Sequence, residues 1–408
     1  MKHRGVLFYP WDAVGADGCS TDGFEDWADQ SNLNALAVAT SYHAGKFIRP
    51  AAKSGPRVVF PEDGTVYFQP DQSRYGSVKP KVSAFTEKVD VLEALCRSGR
   101  HIITGWTVLL HNTRLGFEHP DKTVRNAFGD PYPYSLCPSH PDNQHYAVNL
   151  CSDLGANYDL KGLSIETPGF LPFAHGFHHE FSQMRSNLWL DHHLGLCFCD
   201  HCRAGAAEAG VDADGLKRKI AAMIDDYLAS TDNLSQSDAS TRLANDRRTN
   251  SDLEAYINYR CETVSQLVAR IRIELRADCE LFVIPTTDRP TSQCWVEGSD
   301  LERLARVADG LEVPFYEPTV EAVLRDAAET RITVGQNARI RGILRPGQPD
   351  LNDPQDLTSA ATGLSESGVE GVSFYNFGLL RPHHLEAIGQ AAGAAKALKP
   401  AVQSGEIK

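Results

Sequence analysis

The sequence has no apolar run of the roughly 20 residues that a bilayer-spanning helix needs. Its start, Met1-Lys2-His3-Arg4-Gly5, runs straight into a strand-like segment, with no apolar signal region. These absences point to a cytoplasmic protein with no membrane partner. Positive charge is also short: 40 Lys and Arg face 53 Asp and Glu, a formal net charge of −13. Nucleic acid needs a basic face, so this balance argues against it as a partner. No Gly-x-Gly-x-x-Gly follows the first strand-like run and no phosphate loop occurs, which removes the usual support for nucleotide binding. A disulfide framework is not expected in a cytoplasmic chain. The ten cysteines therefore read as a metal site plus buried thiols. Cys96, Cys151, Cys261 and Cys279, in apolar or helical surroundings, are expected in the core.

What is present is a repeat of apolar runs followed by helical patterns. The runs are 5–12, 33–42, 101–112, 160–166, 280–285, 311–317, 339–344 and 369–376. Helical patterns occupy about 24–31, 88–97, 143–158, 252–275, 300–308, 319–330, 354–366 and 383–397. Eight such units are the count of a (β/α)8 TIM barrel, and near-continuous apolar strands suit a parallel sheet buried on both faces. The whole chain, 1–408, is read as one barrel domain. An insertion of about 170–250 follows strand four, and its segment 230–250, rich in Ser, Asp, Asn and Thr, is expected to be a mobile surface loop.

That insertion holds Cys197-Phe198-Cys199-Asp200-His201-Cys202. Three cysteines in six residues can grip one ion, with Zn²⁺ the default. Cys137, in Leu136-Cys137-Pro138, is the best fourth ligand, and His201 is an alternative. The two cysteine segments flank Gly162-Leu163-Ser164-Ile165-Glu166, so the metal would staple the loops on either side of one strand. An all-thiolate site leaves no open position, which makes the zinc structural.

Active sites of such barrels lie at the C-terminal ends of the strands. Here those ends carry Trp11, Asp12, His43, Trp106, His111, Glu166, Asp288, Tyr316, Glu317, Arg345, Tyr375 and Asn376. Aromatic faces stack on sugar rings, and carboxylates bind hydroxyls or move protons. Glu166 is the foremost catalytic candidate; its alternative is a carboxylate that caps a loop or meets an arginine. Glu317 is the second, or else a first-turn acid favoured by the helix dipole. The others are candidate substrate contacts, although Asp12 and Asp288 also suit helix caps. His178, with His175 and His179, is a further candidate contact, a second metal site or a pH-sensitive loop.

The cysteine pattern resembles the zinc cluster of family 42 glycoside hydrolases, as does Cys137-Pro138-Ser139-His140-Pro141 with Tyr146 beyond. The wider pattern is similar to uncharacterised glycosyl hydrolase-like barrels of the same clan. The likeness is specific over about 100–205 and architectural elsewhere. It implies a zinc held by Cys137, Cys197, Cys199 and Cys202, a homo-oligomer, and Glu166 as general acid/base at the end of strand four. The family's asparagine before that glutamate is Ile165 here. Strand seven, where the family places its nucleophile, ends in Leu344-Arg345-Pro346-Gly347. Either Glu317, one strand earlier, serves as partner, or the enzyme inverts, with a water activated by Asp12 or Asp288 as a further means of completing the chemistry, or the protein is not a hydrolase.

Two functions follow. The first is a glycosidase acting on a small oligosaccharide or glycoside. The second is a non-hydrolytic barrel that modifies a sugar or sugar acid, as an isomerase or lyase, or simply binds carbohydrate.

Overall fold

The computed structural model describes residues 1–177 and 182–397. His178 and His179 lie outside the described residues. The eight apolar runs are eight parallel strands: β1 (His3–Phe8), β2 (Ala35–Tyr42), β3 (Ile102–Val108), β4 (Gly162–Glu166), β5 (Glu280–Val283), β6 (Gly310–Pro314), β7 (Ile340–Leu344) and β8 (Gly371–Phe374). Each pairs with the next, and β8 pairs with β1, so that Gly5 lies opposite Ala35 on one side and Ser373 on the other. This closes the barrel and removes free strand edges.

The outer ring is α1 (Asp22–Gln30), α2 (Val91–Ser98), α3 (Pro141–Asn157), α4 (Ser251–Glu274), α5 (Leu301–Val307), α6 (Val320–Val334), α7 (Pro354–Glu366) and α8 (Pro382–Ala397). Short side chains fix several starts. Asp90, Asp300 and Thr319 accept from the backbone N–H three residues on, satisfying donors that the helix leaves open. The main apolar core lies between strands and helices, with Val6, Leu36, Leu163, Val283, Val313 and Val372 all fully buried. Among the described residues no helix is long and apolar enough to cross a membrane.

The barrel interior carries a polar layer. Glu312 on β6, 2 % exposed, accepts from Ser373 Oγ on β8 at 2.7 Å and from Ser164 Oγ on β4. His3 Nε2 lies 3.2 Å from the same Ser373 hydroxyl. These contacts join alternate strands across the barrel, as layered barrel packing requires. Gly5 has to be small here, because a Cβ would stand 2.8 Å from His3 Nε2 and 2.9 Å from Ser373 Oγ.

Between β4 and α4 the described residues form four α-helices: Leu188–Leu194, Asp200–Glu208, Ala213–Ala229 and Gln236–Thr249. They share a second core with α4 that includes Trp189, Ile220, Ile224, Tyr227, Leu243 and Tyr256. The last helix corrects the expectation of a mobile loop over 230–250. Ser235 caps it by accepting from Asp238 N. Ala239 and Leu243, four residues apart, are buried, while the remaining turns face outward. Asp246 accepts from Trp189 Nε1 at 2.6 Å, and Arg242 lies 4.0 Å over the Trp189 ring. Two small apolar anchors suffice because Trp189 supplies the rest of the contact.

If this helix is packed as described, Leu243→Ala lowers the unfolding free energy by about 2–4 kcal/mol. Thr241→Ala, on its exposed face, changes it by less than about 0.5 kcal/mol. Urea unfolding of the two variants checks this; a mobile loop would give equal, negligible effects.

Candidate active site

At the C-terminal ends of the strands lies a cavity of about 340 Å³, within the roughly 300–1,000 Å³ common for small-molecule sites. Glu166 closes its floor from the end of β4, with Tyr42, His43, Tyr316, Arg345 and Tyr375 around it. Glu166 is the one carboxylate among the described residues that line this cavity. Part of its surface opens to the cavity, but the surrounding strand ends keep water from its carboxyl. That desolvation raises its pKa from 4.5 to about 7. The opposing influence is the Trp106 indole N–H, which donates to Glu166 Oε2 at 2.6 Å.

Strand register places this pair. Glu166 sits opposite Val108, and Trp106 precedes Val108 by two residues on β3. Residues two apart on a strand share a face, so the indole reaches diagonally to the carboxyl. Trp106 is itself 1 % exposed; it packs in a ring cluster with Tyr9, Tyr42 and Tyr375 at centroid distances of 5.5, 5.2 and 5.6 Å. Burial raises the pKa of Tyr42, Tyr316 and Tyr375, and nearby Glu166 adds to each shift. Their hydroxyls are neutral hydrogen-bonding groups.

The strand-end residues separate into three groups. His43, Glu166, Tyr316, Arg345 and Tyr375 line the cavity. Arg345 lies 4.5 Å over the Tyr316 ring and bonds to Asp350, which also holds Arg289 at 2.6 Å. Trp106 and His111 stand behind the wall. Trp106 acts through Glu166, while the His111 ring stacks on His43 at 3.9 Å and meets the cavity-lining His175 at 5.3 Å.

The third group points elsewhere. Asp12 is buried in an ion pair with Arg49 at 2.7 Å. Burial outweighs that pairing and raises its pKa to about 6. Trp11 lines a separate cavity. Asn376 accepts from Gly378 N at 3.1 Å and so shapes the turn after β8. Asp288 is exposed. Glu317 follows the lining residue Tyr316 but is itself absent from the cavity wall. It is partly buried, which raises its pKa, and Arg289 opposes that shift.

Several site residues escaped the strand-end argument. Lys46 and Phe47 enter the cavity from the proline-rich segment after β2. Thr286 and Thr287 line it just beyond β5, and the apolar run that ends at Pro285 was the signal for them. Behind these threonines stands Glu297, 4 % exposed. Its Oε1 accepts from Thr286 Oγ1 at 2.6 Å and Thr287 N at 2.8 Å, and its carbonyl accepts from Phe170 N at 2.9 Å. It thus ties the loop after β5 to the one after β4. Burial raises its pKa to about 8.

Away from the cavity, Cys137, Cys197, Cys199 and Cys202 are all buried, with sulfurs within 4.8 Å of one another. Cys137 Sγ lies 3.5 Å from Cys199 Sγ, 3.4 Å from Cys202 Sγ and 3.8 Å from Cys197 Sγ. This is the one metal-ligand grouping of three or more side chains found among the described residues. His201 packs its ring on His140 at 4.4 Å and is outside that group. A metal ion here would join the segment after Pro131–Leu136 to the start of the Asp200–Glu208 helix.

No protein-family model and no curated protein matches the chain. Among solved structures it is similar to the PgaB (BpsB) glycoside hydrolase domain from Bordetella bronchiseptica, with 14 % identity, a TM-score of 0.56, and coverage of 96 % of this chain and 98 % of that one. It is also similar to the catalytic domain of a beta-amylase from Paenibacillus polymyxa, with 11 % identity, a TM-score of 0.54, and coverage of 98 % and 99 %. These likenesses support the (β/α)8 barrel fold.

Glu297 yields a pH prediction. Its folded pKa, about 8, lies above the ordinary 4.5, so between these values the folded protein keeps a proton that the unfolded chain releases. The group's stability contribution is therefore full below about pH 4.5 and lost as pH rises through about 8. Glu297→Gln mimics the neutral acid and removes that decline. Urea unfolding near pH 5 and near pH 9 should show the wild type losing more stability than the variant; parallel losses would refute the assignment.

Proposed function

We propose that the protein acts on carbohydrate at the barrel mouth, as a glycosidase in which Glu166 is the general acid. The observation that carries this reading is the raised pKa of Glu166, about 7, on the one described carboxylate that lines the cavity. A carboxyl that holds its proton near neutral pH can protonate a leaving glycosidic oxygen. Tyr316, Tyr375 and Phe47 offer ring faces for a sugar, and His43, Arg345 and the Thr286–Thr287 pair offer polar contacts. The name of the Bordetella neighbour, a glycoside hydrolase domain, agrees with this reading, and the family 42 resemblance of the cysteine segments adds to it.

Hydrolysis needs a second group. In this proposal Glu317, which follows the lining residue Tyr316 but does not itself line the cavity, serves as base through a water on the far side of the sugar. That is the inverting arrangement, in which carboxyls stand about 6.5–9.5 Å apart. An anomeric product analysis by NMR decides whether configuration inverts.

A second reading rests on Lys46 and Arg345, two cations in a cavity with one carboxylate. They suit a substrate that carries its own carboxylate, as a sugar acid does. Glu166 would then act as proton shuttle for an isomerase or lyase.

The test is a panel of aryl glycosides and natural disaccharides given to wild type and Glu166→Gln. Cleavage by wild type and loss of at least about 100-fold in the variant support the first reading. No cleavage, with thermal stabilisation by a sugar acid, supports the second.

The metal we propose is structural zinc. Sulfurs about 2.3 Å from a tetrahedral ion stand about 3.8 Å apart, close to the Cys137 distances of 3.4 to 3.8 Å. Thiolate ligands suit a reducing, cytoplasmic setting. Cys199→Ser should lose stoichiometric zinc by elemental analysis and unfold at lower temperature. Full zinc retention would exclude the four-cysteine site.

A further inference from the structure

Arg345 directly follows β7 and precedes a tight turn that brings an acid back against it. Gly347 N donates to the Leu351 carbonyl at 2.9 Å, and Asp350 N donates to the Gly347 carbonyl at 2.9 Å. Gly347 stands at φ +97°, a conformation that glycine adopts without strain. The Asp350 side chain, 1 % exposed, thereby lies beside Arg345. One of its oxygens, Oδ2, accepts from Arg345 Nε. The other, Oδ1, accepts from Arg289 Nη1 at 2.6 Å, and the same nitrogen donates to the Tyr316 carbonyl.

This arrangement fixes the Arg345 guanidinium and leaves its far end unused. The group lies 4.5 Å over the Tyr316 ring and is held at Nε, so its terminal nitrogens have a set direction. Nη1 and Nη2 bond to no described residue, and neither is a buried atom. The side chain is 29 % exposed and lines the barrel-mouth cavity. Its charge acts on Tyr316 and Tyr375, two other residues of that wall.

No carboxylate among the described residues completes the fork. Both oxygens of Asp350 are taken, and Glu166, the one described carboxylate of the lining, accepts at Oε2 from the Trp106 indole. Lys46, exposed, adds a second cation to the same wall. A substrate that fills the cavity takes solvent away from Nη1 and Nη2, and a guanidinium covered without a partner is costly. Two parallel N–H donors on one planar group match the two oxygens of a carboxylate, whereas a hydroxyl meets only one of them.

We propose that the barrel mouth recognises a hexuronic acid unit, its carboxylate bidentate on Arg345 Nη1 and Nη2, with Asp350 as the positioning residue that aims Arg345. The proposal rests on the carbohydrate reading above and names its substrate class, whichever reaction Glu166 serves.

Isothermal titration of the full chain with glucuronate and galacturonate, each beside its neutral amide, tests this. At least one acid should bind about tenfold more tightly than its amide, the gain expected when a charge-assisted pair replaces a neutral one. Arg345→Lys keeps the charge, loses the fork and should abolish that preference. Asp350→Asn separates aim from attraction. It removes a negative charge beside Arg345, so attraction alone would tighten acid binding, yet asparagine has one acceptor oxygen for two guanidinium groups. Loss of aim should weaken acid binding by about tenfold and leave amide binding within about twofold. Unchanged or tighter acid binding in folded Asp350→Asn overturns the positioning role. Should that variant fail to fold, Arg345→Lys decides: a preserved acid preference overturns the assignment. Equal binding of acids and amides by wild type overturns the proposal and leaves the carbohydrate reading standing, whereas no saturable binding of any of the four overturns both. Glucose 6-phosphate bound more tightly than either acid overturns the choice of a carboxylate.

Discussion

Removing water from a carboxyl that has nowhere else to put its charge sets the character of the barrel mouth. Glu166 stands where eight strand ends converge, and desolvation outweighs the indole bond that favours its charged form. The barrel handles its other buried acids differently. Asp12 is given a guanidinium partner, and Glu312 is given two serine hydroxyls. Glu297 is given a threonine pair and a backbone N–H. Of these four, only Glu166 opens onto the cavity. A buried acid with a satisfied partner is structural, whereas one that faces an empty space with a tunable proton is available for chemistry.

That position depends on precise strand register. Trp106 reaches Glu166 because β3 and β4 pair so that Val108 opposes Glu166. A shift of one residue would turn Trp106 to the opposite face. The polar layer around Glu312 links β4, β6 and β8 below the site. Glu297 joins the loops after β4 and β5 above it. The cysteine group brings the insertion that follows the same strand into contact with Cys137, on the segment before α3. Support for β4 therefore comes from inside the barrel, from its mouth and from its flank.

The eight-unit count and part of the cavity wall were legible because each strand is a nearly continuous apolar run and its last residues differ sharply in chemistry. Glu166, Tyr316, Arg345 and Tyr375, named from strand ends, line the cavity, and the four cysteines named from their spacing lie together. Strand-end position alone could not tell which side chains turn inward. Asp12 sits at such an end, yet Arg49, from the proline-rich segment beyond β2, holds it. Long-range partners of that kind leave no mark in local spacing. Lys46 and Phe47 were missed for the same reason, since they reach the cavity from an irregular excursion. The helix Gln236–Thr249 read as a loop because its composition is polar, while its stability comes from Trp189, some fifty residues earlier in the chain.

The central claim is that Glu166 keeps its proton near neutral pH. Labelling glutamate carboxyls with carbon-13 and following their shifts with pH, with Glu166→Gln to assign the resonance, reads that proton directly. The account predicts a titration near pH 7. A midpoint in the ordinary carboxylate range, about 4.3, would contradict it and leave Glu166 a charged group of the wall with no proton to give.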